Sequence, residues 1–162
     1  LRDFLVEPVD DAAAAELVAA RGATAQRAAA LADAPRLLRL TEPLQLRTWA
    51  EVVWRPDSKL TTGELARTFS VSREYLSREF GAGGAPNLKR VIDLARVLCA
   101  ADLLANPGYT VATVSRVLGY SSTSHFGGCV RRICGSHPAE LPGLGLRGVL
   151  ARFLEGRTRS RG

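Results

Sequence analysis

The chain has 162 residues, of which 46% are hydrophobic and 23% charged, and a mean hydropathy of +0.01. Such a composition supports one good core or two small ones and excludes disorder along the whole length. Twenty-two Lys and Arg against 16 Asp and Glu leave a net charge of +6 and a pI near 9.9, which suits a polyanionic partner without requiring one.

The basic residues are almost all arginine, with lysine only at Lys59 and Lys89. Arginine can fork onto a guanine edge or a phosphate. No apolar run reaches the roughly 18 residues of a membrane span, because Arg96 and Asp102 interrupt the stretch from Val91 to Leu104. No signal peptide opens the chain. Three cysteines at irregular spacing, with no export signal, point to reduced thiols and a cytoplasmic setting. A chain that begins at Leu1 and lacks methionine is expected to be a piece of a longer protein.

In chain order, Phe4-Leu5-Val6 is a short apolar piece that Pro8 stops as a strand. Asp10 or Asp11 can cap an alanine-rich helix through Ala12 to Ala20, with Leu17 and Val18 on its apolar face. That helix extends toward Ala32, weakened by Gly22 and Thr24, and Pro35 is expected to end it. Leu37, Leu38 and Leu40 form a small apolar cluster. After Pro43, the residues Leu46, Trp49, Ala50 and Val53 recur at helical spacing, which predicts a helix with these four on its inner face. A turn at Pro56-Asp57-Ser58 then closes a helical linker region, residues 1–56.

Thr61-Thr62-Gly63-Glu64 fits a capping box and starts a helix through Leu65, Ala66 and Phe69. Ser72 can cap the next helix, Arg73 to Phe80, with Val71 stapled onto Leu76. Small Ala66 lets the two helices approach, while Leu76 and Phe80 face inward. Gly81 to Gly84 ends the pair. From Asn87 to Leu104, apolar residues at Leu88, Val91, Leu94, Ala95, Leu98 and Ala101 predict a connector helix of roughly 27 Å. Asn106-Pro107-Gly108 stops it. The pattern then restarts: Thr110 caps a helix through Val111, Val114, Val117 and Leu118, and Gly119 supplies a left-handed corner. Ser121 or Ser122 caps a last helix through Phe126, Val130 and Ile133 to Gly135, beyond which Pro138 forbids continuation.

The expected fold is therefore all-α, with two helix-turn-helix subdomains joined by a connector helix and preceded by a helical linker region. The bipartite unit covers residues 57–142. Residues 143–162 form a basic C-terminal helix or tail, in which Val149, Leu150, Phe153 and Leu154 keep helical spacing ahead of Arg157, Arg159 and Arg161. Packing as an extra helix with phosphate contacts and fraying at the terminus are both open for it.

With these residues placed, the segment resembles the DNA-binding domain of AraC-type (AraC/XylS) bacterial transcription regulators. The resemblance rests on Gly119-Tyr120-Ser121-Ser122, Ser124-His125-Phe126, Arg131-Arg132, Gly135 and Pro138. It extends to Arg96 and Ala100 to Leu104 of the connector, and to Leu65-Ala66, Val71-Ser72, Leu76-Ser77-Arg78 and Phe80 of the first unit. It implies that two solvent-facing helices enter successive major-groove segments on one face of double-stranded DNA. A connector of the length above could hold two such readers about one turn, roughly 34 Å, apart. By position, the first reader presents Arg73, Glu74, Ser77 and Arg78. The second presents Ser122, Thr123, Ser124 and His125, with Arg131 and Arg132 placed for phosphates. RNA polymerase is the protein partner such a regulator would engage; no cofactor, metal or membrane is implied.

The chain also departs from that family. Gly127 and Gly128 stand where side chains usually face DNA, and Val130 and Cys134 where large aromatics usually fill the core. The second reader is accordingly expected to position the protein more than it specifies sequence. Residues 1–21 are similar to the C-terminal end of a response-regulator receiver domain, but Glu7 replaces the lysine that precedes the proline there.

Other chemistries fit less well. His125, Cys129, Cys134 and His137 form a zinc-like spacing, but the resemblance sends Cys134 to the core and His125 toward DNA. No nucleophile has a base and orienting acid in pattern, and no glycine-rich phosphate loop follows a strand, so the chain is not expected to be an enzyme. Trp49 and Trp54 are expected to pack rather than stack on bases, and Glu79 to be a structural partner. The rival function is a degenerate helix-turn-helix module that binds protein or transfers a signal without reading bases, a view that Gly127, Gly128 and the acidic residues of the first reader favour.

Overall fold

All regular structure among the described residues of the computed structural model, 27–54 and 60–161, is helical. The apolar piece at Phe4, the cap at Asp10 or Asp11, the receiver-like stretch and the turn at Pro56 lie outside those residues. A helical turn over 27–30 leads into α1 (Ala34–Leu37) and α2 (Pro43–Trp54). The first helix-turn-helix is α3 (Thr62–Thr68) and α4 (Arg73–Phe80), and the connector is α5 (Leu88–Leu104). The second pair is α6 (Val111–Val117) and α7 (Thr123–Cys134), followed by α8 (Leu141–Arg161).

Side-chain caps set the starts. Thr61, Ser72, Asn87, Thr110 and Ser122 all adopt extended backbone, and each accepts from the amide three residues on, at 2.9–3.1 Å. Each such cap satisfies one orphan donor and contributes about 1 kcal/mol. The two inter-helix corners are also built alike. Ser70 has φ 56° and Gly119 has φ 80°, and the following residues, Val71 and Tyr120, donate to Ala66 and Ser115 at 3.0 Å. A serine in the left-handed region carries strain that glycine avoids, which explains why only the second corner announces itself in the sequence.

The connector forms the middle of the core. Its six expected inward positions are buried, and so are Ile92, Val97, Cys99 and Ala100. They are buried because α8 lies along one side of α5 while α2, α6 and α7 pack on others. Burial of Leu141, Val149, Leu150 and Phe153 shows that α8 packs on the core over residues 141–153; it begins five residues earlier than the periodicity from Leu146 suggests and kinks at Gly145, φ 66°. The Arg90 guanidinium lies 5.1 Å from the centroid of the Phe153 ring, and Arg152 donates to Ser136 at 3.3 Å.

Two expectations need correction. Pro35 does not end a helix but sits in the first turn of α1, where its missing amide proton is no loss. In α2 the inner face is Gln45, Thr48, Trp49, Val52 and Val53, whereas Leu46 (41% exposed), Ala50 and Trp54 (54% exposed) form an outward stripe at four-residue spacing. The reason lies in Gln45, whose hydrogen bonds turn the helix by one position. Trp49 is packed in the core as expected, but Trp54 is not.

Candidate nucleic-acid interface

Of the first reader, α4, Leu76 and Phe80 are fully buried and anchor the helix, so Arg73, Glu74, Tyr75, Ser77 and Arg78 are left exposed on the outside. The four expected contact residues thus share one solvent face. Each arginine has a carboxylate beside it: Arg73 Nε lies 3.9 Å from Glu74, and Arg78 Nε lies 3.8 Å from Glu79. Pairs this exposed are held weakly, so either guanidinium can exchange its neighbour for a nucleic-acid acceptor. Tyr75, which sequence reasoning missed, is 41% exposed, and the Arg78 guanidinium sits 5.6 Å from its ring centroid. A tyrosine three residues before an arginine on a helix is the signal that could have found it.

The back of α4 is fixed by Gln45. Its Nε2 donates to the carbonyls of Phe80 at 2.8 Å and Ala82 at 3.1 Å, and its Oε1 accepts from the amides of Thr41 and Glu42 at 2.9 and 3.0 Å. The residue is 1% exposed. One buried amide side chain therefore ties the start of α2 to the end of the first reader, satisfying carbonyls that a helix C-terminus leaves unpaired.

On the second reader, Ser122 rather than Ser121 is the cap, and Ser122, Thr123, Ser124, His125, Arg131 and Arg132 are all exposed. Its mooring is Ser115, 3% exposed, whose hydroxyl donates to the Ser122 carbonyl at 3.2 Å. The His125 ring is held in place. Its Nδ1 is 3.1 Å from Ser121 Oγ, and its ring meets Tyr120 edge-on with centroids 5.5 Å apart. Tyr120 in turn donates to Cys129 Sγ at 3.3 Å, and burial pushes the phenol well above its ordinary value and raises the thiol, so both stay neutral.

These contacts separate the zinc-like residues. Cys129 is buried under Tyr120, Cys134 donates to the Val130 carbonyl at 3.4 Å, and His125 turns to Ser121. Among the described residues no three His, Cys, Asp or Glu side chains gather as a metal site. No described helix is long and apolar enough to cross a membrane.

Gly127 and Gly128 lie in the middle of α7, half-buried. A Cβ at Gly127 would meet nothing within 4 Å, and one at Gly128 only the Arg132 Nη1 at 3.6 Å. Space therefore does not require either glycine. Gly127→Ala and Gly128→Ala should each stabilise the protein by up to about 1 kcal/mol, measured by urea denaturation, because alanine loses less backbone entropy. A loss of stability in either variant would mean that α7 is not a regular helix there. Val130 and Cys134, smaller than the aromatics expected in the core, are both buried.

Beside the Gly127 gap runs an open groove of about 590 Å³ with a mixed lining, polar at Thr123, Ser124, Arg131 and His137 and apolar at Val111, Pro138 and Ala139. The backbone of the turn after α7 is set by a bond from the His137 amide to Glu140 Oε1 at 3.0 Å, which leaves the imidazole exposed.

Residues 65–142, just under half of the chain, match the sequence profile of a family described as a helix-turn-helix domain, and the match spans both pairs and the connector. No curated protein and no solved structure gives a significant match.

Proposed function

We propose, from the premise that residues 65–142 are a helix-turn-helix domain of the AraC type, that this chain is a transcription regulator reading a specific duplex sequence. The domain is a DNA-binding one, which is not an enzyme class. In the finer reading, α4 and α7 enter successive major-groove segments. The observation that carries it is the duplication: two helices, each capped by serine, each moored from behind by one buried polar side chain, and each exposing polar residues, one preceding and one following the 17-residue α5 in the chain.

In this reading Arg78 or Arg73 gives two hydrogen bonds to a guanine, Glu74 accepts from a cytosine, and Ser77 serves a base or a phosphate. The second reader has only short side chains, His125 and a two-glycine gap, and positions the protein more than it specifies sequence. Engagement of RNA polymerase, and control by a receiver-like domain joined at the N-terminal side, belong to the same proposal; the support for the latter is the pattern of residues 1–21.

The experiment is selection of bound sequences from a random duplex library with the 162-residue chain at fixed salt. An enriched motif is expected. Arg78→Ala should lose information at one base pair of that motif and weaken binding by about 10- to 100-fold, the range of one bidentate contact. A folded protein that enriches nothing favours the interaction-module reading, for which Glu74, Glu79 and the two glycines speak. Salt separates the two as well: phosphate binding weakens steeply with salt through counterion release, and an apolar protein contact does not.

A further inference from the structure

Arg78 has to reach a base from the far end of its helix. Recognition helices touch base edges chiefly with their N-terminal residues, and Arg78 lies in the last turn of the eight-residue α4. A side chain on a helix leans back over the turn before its own Cα, so the guanidinium can cover that distance. What an exposed arginine lacks is a fixed direction, because its long stem has many rotamers.

Two neighbours compete to supply one. Glu79, the next residue in the chain, has its carboxylate 3.8 Å from Arg78 Nε. Tyr75, one turn nearer the N-terminus, has its ring centroid 5.6 Å from the guanidinium carbon, within the roughly 6 Å over which a cation is drawn to a tyrosine face. Glu74, four residues before Arg78 and the ordinary carboxylate partner at that spacing, is turned to Arg73 at 3.9 Å. The tyrosine itself is fixed at its base: its amide, in the first turn of α4, is held by the Ser72 hydroxyl at 3.0 Å. On approach to a polyanion the Glu79 carboxylate is repelled, and an aromatic face carries no such penalty, so the ring is the holder that remains.

We infer that Tyr75 is the positioning residue of the first reader: its ring holds the Arg78 guanidinium over the N-terminal half of α4 and sets how sharply one base pair is read. It acts through Arg78, not through a contact of its own with DNA. The inference deepens the reading of Arg78 as a base contact and rests on it.

The experiment is a double-mutant cycle in the full chain, with Tyr75→Leu, Tyr75→Phe, Arg78→Ala and the Tyr75→Leu/Arg78→Ala pair. The duplexes are the enriched sequence and its single substitution at the base pair whose information Arg78→Ala removes. Anisotropy titration gives the ratio of the two affinities. Tyr75→Leu is expected to lower that ratio by about two- to fivefold, the worth of an exposed cation–π contact, and Tyr75→Phe, which keeps the ring, to leave it unchanged. With Arg78 already replaced by alanine, Tyr75→Leu should change nothing. The slope of log K against log salt should be the same for Tyr75→Leu as for wild type, since no phosphate contact is lost. An equal loss from Tyr75→Leu with and without Arg78 would make the tyrosine a DNA contact in its own right and overturn the inference. So would a loss from Tyr75→Phe as large as that from Tyr75→Leu, which assigns the effect to the hydroxyl, or no loss from Tyr75→Leu at all. Wild type that prefers no duplex, or Arg78→Ala that loses no base pair, would overturn the base-contact reading itself and the inference with it.

Discussion

Replacing Gln45 with leucine should destabilise the protein by about 3 kcal/mol, seen as a fall of roughly 1.5 M in the urea midpoint for a domain of ordinary size. Leucine fits the space of glutamine and adds apolar surface to a site that is 1% exposed, so a purely hydrophobic account predicts a gain. The hydrogen bonds decide otherwise. Losing Nε2 leaves the Phe80 carbonyl, bonded at 2.8 Å at the C-terminal end of α4, short of a donor and leaves the Ala82 carbonyl the long bond from the Ala85 amide at 3.5 Å; losing Oε1 leaves the amides of Thr41 and Glu42 short of an acceptor. A buried polar group without a partner costs about 1–3 kcal/mol, and the partly exposed amides of Thr41 and Glu42 recover some of theirs from water. The neighbouring Leu46→Ala, on the outward face, should change stability by no more than about 0.5 kcal/mol. Equal effects at the two positions would show that Leu46, not Gln45, is the inner residue. Among variants that remain folded, Gln45→Leu should also weaken sequence-specific binding, since the end of α4 that bears Arg78 loses its rear support.

That pair of positions shows where the sequence was legible and where it was not. Helix starts were readable because capping is a local code: a Thr or Ser and the amide three residues on are all it involves, and Thr61, Ser72 and Thr110 all cap where the residue types place them. The connector was readable because its apolar residues recur over five turns. Orientation of α2 was not, because its apolar residues lie on two adjacent faces and the choice between them depends on a partner 35 residues away, the Phe80 carbonyl. The exposed faces of α4 and α7 followed from the burial of Leu76, Phe80 and Phe126, which leaves the expected contact residues exposed on each helix. Ser115 did not show in the sequence. A lone serine carries no local pattern, and it acquires its place only from the corner that brings its hydroxyl against the Ser122 carbonyl.

The buried ion pair between Arg27 and Asp102 should behave in the opposite way from a stabilising bridge. Arg27 is 2% exposed and Asp102 22%, with Nη1 and Oδ2 3.4 Å apart; Arg27 Nη2 also reaches the Val53 carbonyl at 3.5 Å. Burial pushes the Asp102 carboxyl above its ordinary value, and the guanidinium only partly offsets that. A carboxylate raised in the folded state opposes folding at neutral pH. Its penalty is full above the raised value and disappears as pH falls below the usual carboxylate range, so its ionisation is not a source of stability. Asp102→Ala should nevertheless cost about 2–3 kcal/mol, because it takes the carboxylate from a guanidinium already out of water. Arg27→Leu combined with Asp102→Leu should lie within about 1 kcal/mol of wild type, since both desolvation terms vanish and the space refills with apolar atoms. The coupling from the two single variants and the double, by urea denaturation, is the measurement. A double variant as unstable as the worse single one would mean that the pair earns its place energetically. Near-neutrality would leave it one use, fixing the register of the 27–30 turn against the ends of α2 and α5, where charge excludes the sliding that two apolar faces would permit.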